Sequence, residues 1–227
     1  MSAQRKALIV GVGDGLSASL AHLLHRQGYS LALAARNIAK LSDLAKATEA
    51  SVHTCDASDA DDVAALFSEV GSNLDVVIYN PSFRVRGPLA ELNPADVRKT
   101  LDITAFGAFL VGQQAVRAML KRGSGTILFT GASAGVKGYP QSAPFAMGKF
   151  ALRGLAQSMA REFHPQGIHI AHVIIDGAIL SARYPDAEGK HDKLHPDAIA
   201  RAYVDLINQD RTCWSWEIEV RPWVEKF

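Results

Sequence analysis

Three glycines stand in the segment Gly11-Val-Gly-Asp-Gly15-Leu-Ser17, between the first apolar run of the chain and a stretch of helical period. A glycine has no Cβ, so its backbone can come close to a bound phosphate. The N-terminus of the following helix offers N–H groups and partial positive charge to that phosphate. Such a segment is typical of a dinucleotide site, although a tight turn without a ligand is the alternative. We predict cofactor contacts from Gly11, Gly13, Gly15, Leu16 and Ser17.

Arg36 follows the second apolar run, where dinucleotide-binding folds place the residue that reads the adenosine ribose. A carboxylate there suits the ribose hydroxyls of NAD, whereas a guanidinium suits the 2′-phosphate of NADP. Ala34 and Ala35 offer no acid, so Arg36 predicts a preference for NADP(H) over NAD(H). The negative charge of Asp14 in the glycine segment argues against an NADP(H) preference. The alternative for Arg36 is a solvated surface cation without a role in binding. Asp56, after the third run, could accept a hydrogen bond from an adenine amino group.

Seven short runs rich in Val, Ile and Leu alternate with longer segments of helical period. We predict strands at 7–10, 30–35, 51–55, 75–79, 125–130, 169–175 and 216–221. We predict helices at 16–27, 38–50, 59–70, 94–121, 143–164 and 195–209. Strands that are apolar throughout are buried on both faces, as in a parallel sheet. The alternation therefore predicts a doubly wound, Rossmann-type α/β fold with a roughly seven-stranded parallel sheet and helices on both faces.

The composition is that of an ordinary globular protein, with 227 residues, 48% hydrophobic residues and a formal net charge of +1. The length predicts a single domain over residues 1–227. The near-zero charge argues against nucleic-acid binding, and no apolar run reaches the roughly 18 residues of a membrane span. Cys55 and Cys213 make no disulfide framework, and the histidines show no metal-binding pattern. Since the first residues are not typical of a signal peptide, we expect a cytoplasmic protein without a metal.

The segment 181–196 is rich in charged and turn-forming residues and has no apolar period. A loop of this length in a compact domain is usually functional or mobile. We predict a lid over a substrate pocket, and a plain surface excursion is the alternative.

Motifs along nearly the whole chain resemble those of the short-chain dehydrogenase/reductase family. The family's glycine motif corresponds to Val10-Gly-Val-Gly-Asp-Gly-Leu-Ser17, and its N-N-A-G to Tyr79-Asn80-Pro81-Ser82. Its Y-x-x-x-K falls on Phe145-Ala-Met-Gly-Lys149, and its P-G after the sixth strand becomes Asp176-Gly177. The resemblance implies an NAD(P)(H)-dependent oxidoreductase acting on a small carbonyl or alcohol, with further cofactor contacts from Asn80, Lys149 and Gly177. It also implies a homodimer or homotetramer.

The resemblance also implies an atypical active site. The family's catalytic residues are Asn, Ser, Tyr and Lys, and their positions are taken here by Thr104, Ala132, Phe145 and Lys149. The family's tyrosine protonates the carbonyl oxygen, but a phenylalanine has no proton to donate. A missing general acid typically costs about 10²–10⁴ in rate. Only the lysine, which holds the nicotinamide ribose, is unchanged.

Three functions remain open on this sequence. The first is an oxidoreductase in which Ser133, Tyr139 or a water molecule donates the proton; Ser142 lies in the same segment. Against this, Tyr139 could simply pack on the surface. The second is a non-catalytic dinucleotide-binding protein that senses the cofactor or supports a partner. The third is a non-redox enzyme, and the fold alone does not choose among them.

Overall fold

The computed structural model describes residues 4–186 and 190–226, which contain a seven-stranded parallel sheet of order β3-β2-β1-β4-β5-β6-β7. The strands are β1 (Lys6–Val10), β2 (Ser30–Ala35), β3 (Ser51–Thr54), β4 (Val76–Tyr79), β5 (Gly125–Thr130), β6 (Ile168–Ile175) and β7 (Glu217–Val220). The helices are α1 (Leu16–Arg26), α2 (Ser42–Thr48), α3 (Ala60–Val70), α4 (Pro94–Leu101), α5 (Gly107–Leu120), α6 (Ala143–Phe163) and α7 (Pro196–Ile207). The predicted fold class is confirmed, and each strand lies within one residue of its predicted ends.

The central strands are buried on both faces. Every residue of β4 and β6 is buried, as the continuous apolar runs predict. Alternate residues point to opposite faces, so Val77 joins one hydrophobic core while Val76 joins the other. The first core is covered by α3, α5 and α6, and the second by α1 and α7. Helices therefore lie on both faces of the sheet, and its strand ends are the natural place for a site.

Two predicted helices differ from the observed elements. The segment 38–50 begins as a 3-10 turn, Ile38–Leu41. Asn37 caps the start of this turn, because its side chain accepts a hydrogen bond from the Ala39 N–H. The segment 94–121 is interrupted by a π-helical turn, Asp102–Phe106, between α4 and α5. A π turn is rare and often lies near functional sites.

The π turn is fixed by close packing against the end of β4. A π turn rearranges the helical hydrogen bonds, and the buried Tyr79 hydroxyl donates to the Ile103 carbonyl oxygen there. A Cβ on Gly107 would overlap both the Ala57 carbonyl oxygen and the Tyr79 hydroxyl. Glycine at this position therefore allows the helix to approach the sheet closely.

The helical segment Pro94–Leu120 is the one stretch among the described residues that is long and apolar enough to cross a membrane. Of its most apolar window, 61% is buried within the fold. Burial to this extent is typical of a core helix. The cytoplasmic location and the single-domain organisation stay predictions.

The predicted lid, 181–196, is described only in part, because residues 187–189 lie outside the described residues. One isolated bridge pairs Leu194 of this segment with Ile179, just before it, and a second, Ser181 with Tyr184, lies within the segment. Its last residue, Pro196, is the first residue of α7. Its role as a lid stays a prediction.

Candidate active site

Two adjoining cavities lie at the carboxyl ends of the parallel strands. The first, of about 470 Å³, and the second, of about 750 Å³, share Gly11, Gly13, Asp14, Asn80 and Ser82 in their walls. Together they form one elongated cleft. Of the predicted cofactor residues, Arg36 and Asp56 line the first cavity, while Gly15, Leu16, Ser17, Lys149 and Gly177 line the second.

The glycine segment leaves its backbone open to a ligand. Gly11 has a positive φ of 81°, and a Cβ on it would lie 2.6 Å from the Pro81 nitrogen. By contrast, apart from their chain neighbours, no described residue has an atom within 4 Å of the places where Cβ atoms on Gly13 and Gly15 would stand. Helix α1 begins directly afterwards, at Leu16. The segment therefore fits a phosphate held by backbone N–H groups at a helix N-terminus.

Ser17 and Asn80 hold this segment in shape. The Ser17 hydroxyl donates to the Gly11 carbonyl oxygen at 3.2 Å and accepts from the Asn80 amide at 2.7 Å. Ser17 is only 1% exposed. Both predicted contact residues therefore join the glycine segment to the end of β4, and the Ser17 hydroxyl already has two partners within the chain.

Charges of both signs surround the first cavity. Arg36 and Lys40 line it as cations, and Asp14 and Asp56 as carboxylates. Burial alone would raise the pKa of Asp56, but hydrogen bonds from Ser58 and the charge of Arg36 lower it overall. The cavity thus offers cations to a phosphate and an ionised carboxylate to an amino group.

Lys149 is buried in the wall of the second cavity. It is 2% exposed, and its Nζ donates to the Thr130 carbonyl oxygen at 2.6 Å. Burial lowers the pKa of Lys149 to about 8, because the interior disfavours the charged amine.

Phe145 lies one helical turn before Lys149 and near two cations. Its ring centroid is 5.8 Å from Lys149 Nζ and 5.0 Å from the Arg84 guanidinium carbon. These distances fall within the range of cation–π attraction. The two cations therefore attract the ring at its position in the cavity wall, but the ring has no group that exchanges a proton.

The structure brings most of the predicted catalytic residues together. Ala132, Ser133, Tyr139 and Phe145 line the second cavity with Lys149. Thr104 is instead buried in the π turn, and the cavity walls do not include it. Its hydroxyl has no hydrogen-bond partner among the described residues, and a Cβ on Gly148 would come within 3.0 Å of its Cβ. Thr104 therefore lies behind Lys149 rather than beside the cavity.

The polar residues that line the second cavity also include Arg84, Arg86, Ser142 and Asp176. The Ser142 hydroxyl is buried and has no hydrogen-bond partner in the part of the chain that the structure describes. The sequence does point to Asp176, because the Asp176-Gly177 pair stands where the family has its P-G after the sixth strand. The two arginines lie in an irregular loop, whose sequence gives no signal of where its side chains point.

No group of three His, Cys, Asp or Glu side chains that could hold a metal ion occurs in residues 4–186 and 190–226. The expectation of a site without a metal stays a prediction.

Comparisons with known proteins agree with this architecture. The short chain dehydrogenase family model matches residues 5–183. A solved short-chain dehydrogenase from Rhodopseudomonas palustris is 33% identical, with a TM-score of 0.84 over 96% of this chain and 99% of that chain. An uncharacterized oxidoreductase of Staphylococcus aureus strain USA300 is 24% identical over 225 residues, 95% of this chain and 96% of the relative. A metagenomic short-chain oxidoreductase in complex with NADP is 25% identical, with a TM-score of 0.84 over 96% and 97% of the chains.

The family match covers well over half of the chain, so the protein belongs to the short-chain dehydrogenase family. This is a family of NAD(P)-dependent oxidoreductases, and the cleft described above lies where such a fold binds its dinucleotide.

The burial of Lys149 predicts a pH dependence of stability. The pKa of Lys149 is about 8 in the folded state and near 10.5 in the unfolded chain. Between these values the unfolded state binds more protons, so stability rises with pH. Relative to Lys149→Met, we expect the wild type to gain about 2–3 kcal/mol in free energy of unfolding between pH 7 and pH 10.

Urea unfolding at both pH values measures this gain, and Lys121→Met, which removes an exposed lysine, is the matched control. The same difference between wild type and Lys149→Met at both pH values would contradict the prediction.

Proposed function

We propose that this chain is an NADP(H)-dependent oxidoreductase that interconverts a small carbonyl and the corresponding alcohol in the cavity beside Lys149. The observation that supports this most is the continuity of the cleft. Its first cavity offers cations near Arg36, and its second surrounds a buried lysine with polar groups. A dinucleotide laid along the glycine segment would reach from one cavity to the other.

The residues of the cleft suit the parts of a dinucleotide. The open backbone at Gly13 and Gly15 would hold the pyrophosphate, supported by Gly11, Leu16, Ser17 and Asn80. Arg36 would bind the 2′-phosphate, and Asp56 would accept from the adenine amino group. Lys149 would hold the nicotinamide ribose, and Gly177 would lie at the nicotinamide end. The bound cofactor supplies or takes the hydride, and the protein must handle the proton.

The proton chemistry in our proposal departs from the family pattern. Phe145, Ala132 and Thr104 stand at positions where the family resemblance implies a tyrosine, a serine and an asparagine. Ser133, next to Ala132, would donate a hydrogen bond to the substrate oxygen. Tyr139 would supply the proton, since both residues line the cavity that contains Lys149. The active site is thus atypical, with its donor in the segment before α6.

A second candidate function is a non-catalytic dinucleotide-binding protein. Phe145 favours it, because an aromatic ring at the family's tyrosine position has no proton to transfer. The two functions share the cofactor site and differ only in turnover. They are therefore separable by experiment.

We also propose a homodimer formed by an apolar surface of the central helices. Phe106 and Phe109 are 48% and 42% exposed and stack on each other, with ring centroids 6.2 Å apart. On α6, Met147 and Phe150 are 50% and 46% exposed. Exposed large apolar groups on neighbouring helices are typical of a protein–protein contact.

The proposed preference for NADP(H) is tested by the substitution Arg36→Ala. A charge-assisted hydrogen bond contributes about 1.5–3 kcal/mol, so we expect NADPH to bind about ten-fold or more weakly while NADH is little affected. Fluorescence titration of both cofactors measures this, with the exposed Lys46→Ala as the matched control. Wild-type protein that binds NADH as tightly as NADPH would refute the role of Arg36.

The proposed activity is tested by NADPH consumption with a panel of small aldehydes and ketones. We expect wild-type turnover that is lost in Lys149→Ala. A wild type without turnover, together with activity created by Phe145→Tyr plus Ala132→Ser, would instead establish the non-catalytic candidate.

The proposed dimer is tested by light scattering after size-exclusion chromatography. We expect about twice the 24.4 kDa of one chain, and a monomer for Phe109→Glu plus Phe150→Glu, because a charge is costly inside an apolar contact. Gln157→Glu, at a partly exposed position of the same helix, is the control for added charge on α6. A monomeric wild type would contradict the proposal.

A further inference from the structure

We propose that Pro81 is a positioning residue for Lys149, because it leaves the Thr130 carbonyl oxygen without a backbone donor. The proposal deepens the function proposed above and rests on it in one respect, since Lys149 is there the residue that holds the nicotinamide ribose. It follows from one juxtaposition at the end of two paired strands. A proline, which has no N–H, stands where the sheet directs an N–H at the carbonyl that Lys149 contacts.

The hydrogen bonds of β5 show which way the Thr130 carbonyl points. Thr126 donates its N–H to the Asp75 carbonyl oxygen at 2.8 Å, so the even-numbered residues of β5 present their backbone groups to β4. The odd-numbered residues face the other neighbour, since the Gly131 N–H donates to the Val173 carbonyl oxygen at 2.7 Å. The Thr130 carbonyl oxygen therefore points toward the chain that leaves β4.

The hydrogen bonds of β4 show which residue should meet that carbonyl. The Asn80 N–H donates to the Val10 carbonyl oxygen at 3.0 Å, so Asn80 faces β1 and the residues on either side of it face β5. Tyr79 pairs with Phe129, and the next donor of this ladder would be the N–H of position 81. Pro81 supplies none, so the ladder between these strands ends one bond early.

Lys149 supplies the missing donor. Its Nζ donates to the Thr130 carbonyl oxygen at 2.6 Å, and the two residues are 2% and 7% exposed. A buried carbonyl without a partner is costly, so the lysine stabilises the end of β5. An ammonium has three donors, and this contact uses one of them. The others remain for a ligand in the second cavity, which both residues line.

Both sides of this arrangement are rigid. The hydroxyl groups of Thr130 and Tyr203 are hydrogen-bonded at 2.8 Å, and Tyr203 of α7 is fully buried. Pro81 packs closely on Gly11, where a Cβ would lie 2.6 Å from the proline nitrogen. The carbonyl therefore holds the ammonium in one place before a cofactor arrives, which lowers the entropy lost on binding.

A double-mutant cycle on stability tests the exchange of donors without any cofactor. Lys149→Met leaves the Thr130 carbonyl oxygen without a donor, and Pro81→Ala then supplies an N–H to it. We expect Pro81→Ala to raise the free energy of unfolding in urea clearly more in the Lys149→Met background than in the wild type. The effect of losing a proline on the unfolded chain is the same in both backgrounds and cancels. Equal effects in the two backgrounds would overturn the proposal.

A second cycle follows the cofactor by fluorescence titration. In the wild type the new N–H competes with Lys149 for one carbonyl, so we expect Pro81→Ala to weaken NADPH binding about three- to ten-fold. In the Lys149→Met background the same change should leave the affinity for NADPH unchanged. Pro81 also lines the first cavity, so an equal loss in both backgrounds would mean a direct effect on the cofactor and would overturn the positioning role.

Pro88→Ala is the matched control, because Pro88 is an exposed proline of the same loop and lines neither cavity. We expect its effect to be the same in both backgrounds of each cycle, and a dependence on Lys149 as large as that of Pro81→Ala would also overturn the proposal. A protein without turnover that shows the expected result in both cycles would reject the proposed oxidoreductase function and retain the positioning role of Pro81.

Discussion

The hydrogen-bond ladder of an all-parallel sheet, whose central strands are buried on both faces, is the constraint on which the rest of this protein depends. All strands run in one direction, so all their carboxyl ends meet at one edge of the sheet. The central strands β1, β2, β4, β5 and β6 are mostly apolar, so the polar groups of the cleft come largely from the segments that follow the strands. The residues that follow β1 to β6 and reach the cleft include Gly13, Arg36, Asp56, Asn80, Ser133 and Asp176.

The buried Lys149 illustrates the energetic consequence of this arrangement. Its charged amine, with the Thr130 carbonyl as hydrogen-bond partner, is less stable than in water, and its pKa falls to about 8 as a result. No carboxylate forms an ion pair with it among the described residues. The burial of Lys149 is understandable if a ligand completes its hydrogen bonds, as the proposed nicotinamide ribose would.

The packing behind the site is as specific as the site itself. Gly107 brings the helix close to the ends of β3 and β4, and Tyr79 donates to the carbonyl of Ile103. Gly148 then leaves room for Thr104 directly behind the helix turn that carries Lys149. Each contact breaks a local preference, either a glycine within a helix or a π turn between two helices. Together they hold α6 against the sheet and so place Phe145 and Lys149 at the cavity.

The sequence by itself determined the fold class, the strand positions and the glycine segment, because these depend on local apolar period and on the absence of a Cβ. It also identified most of the residues around the cavity through the family resemblance. Only the tertiary structure decided that Thr104 packs against Gly148, outside the cavity walls. It alone placed Arg84 over Phe145. Such contacts join residues far apart in the chain through irregular loops, whose side-chain directions follow from packing rather than from any repeating pattern.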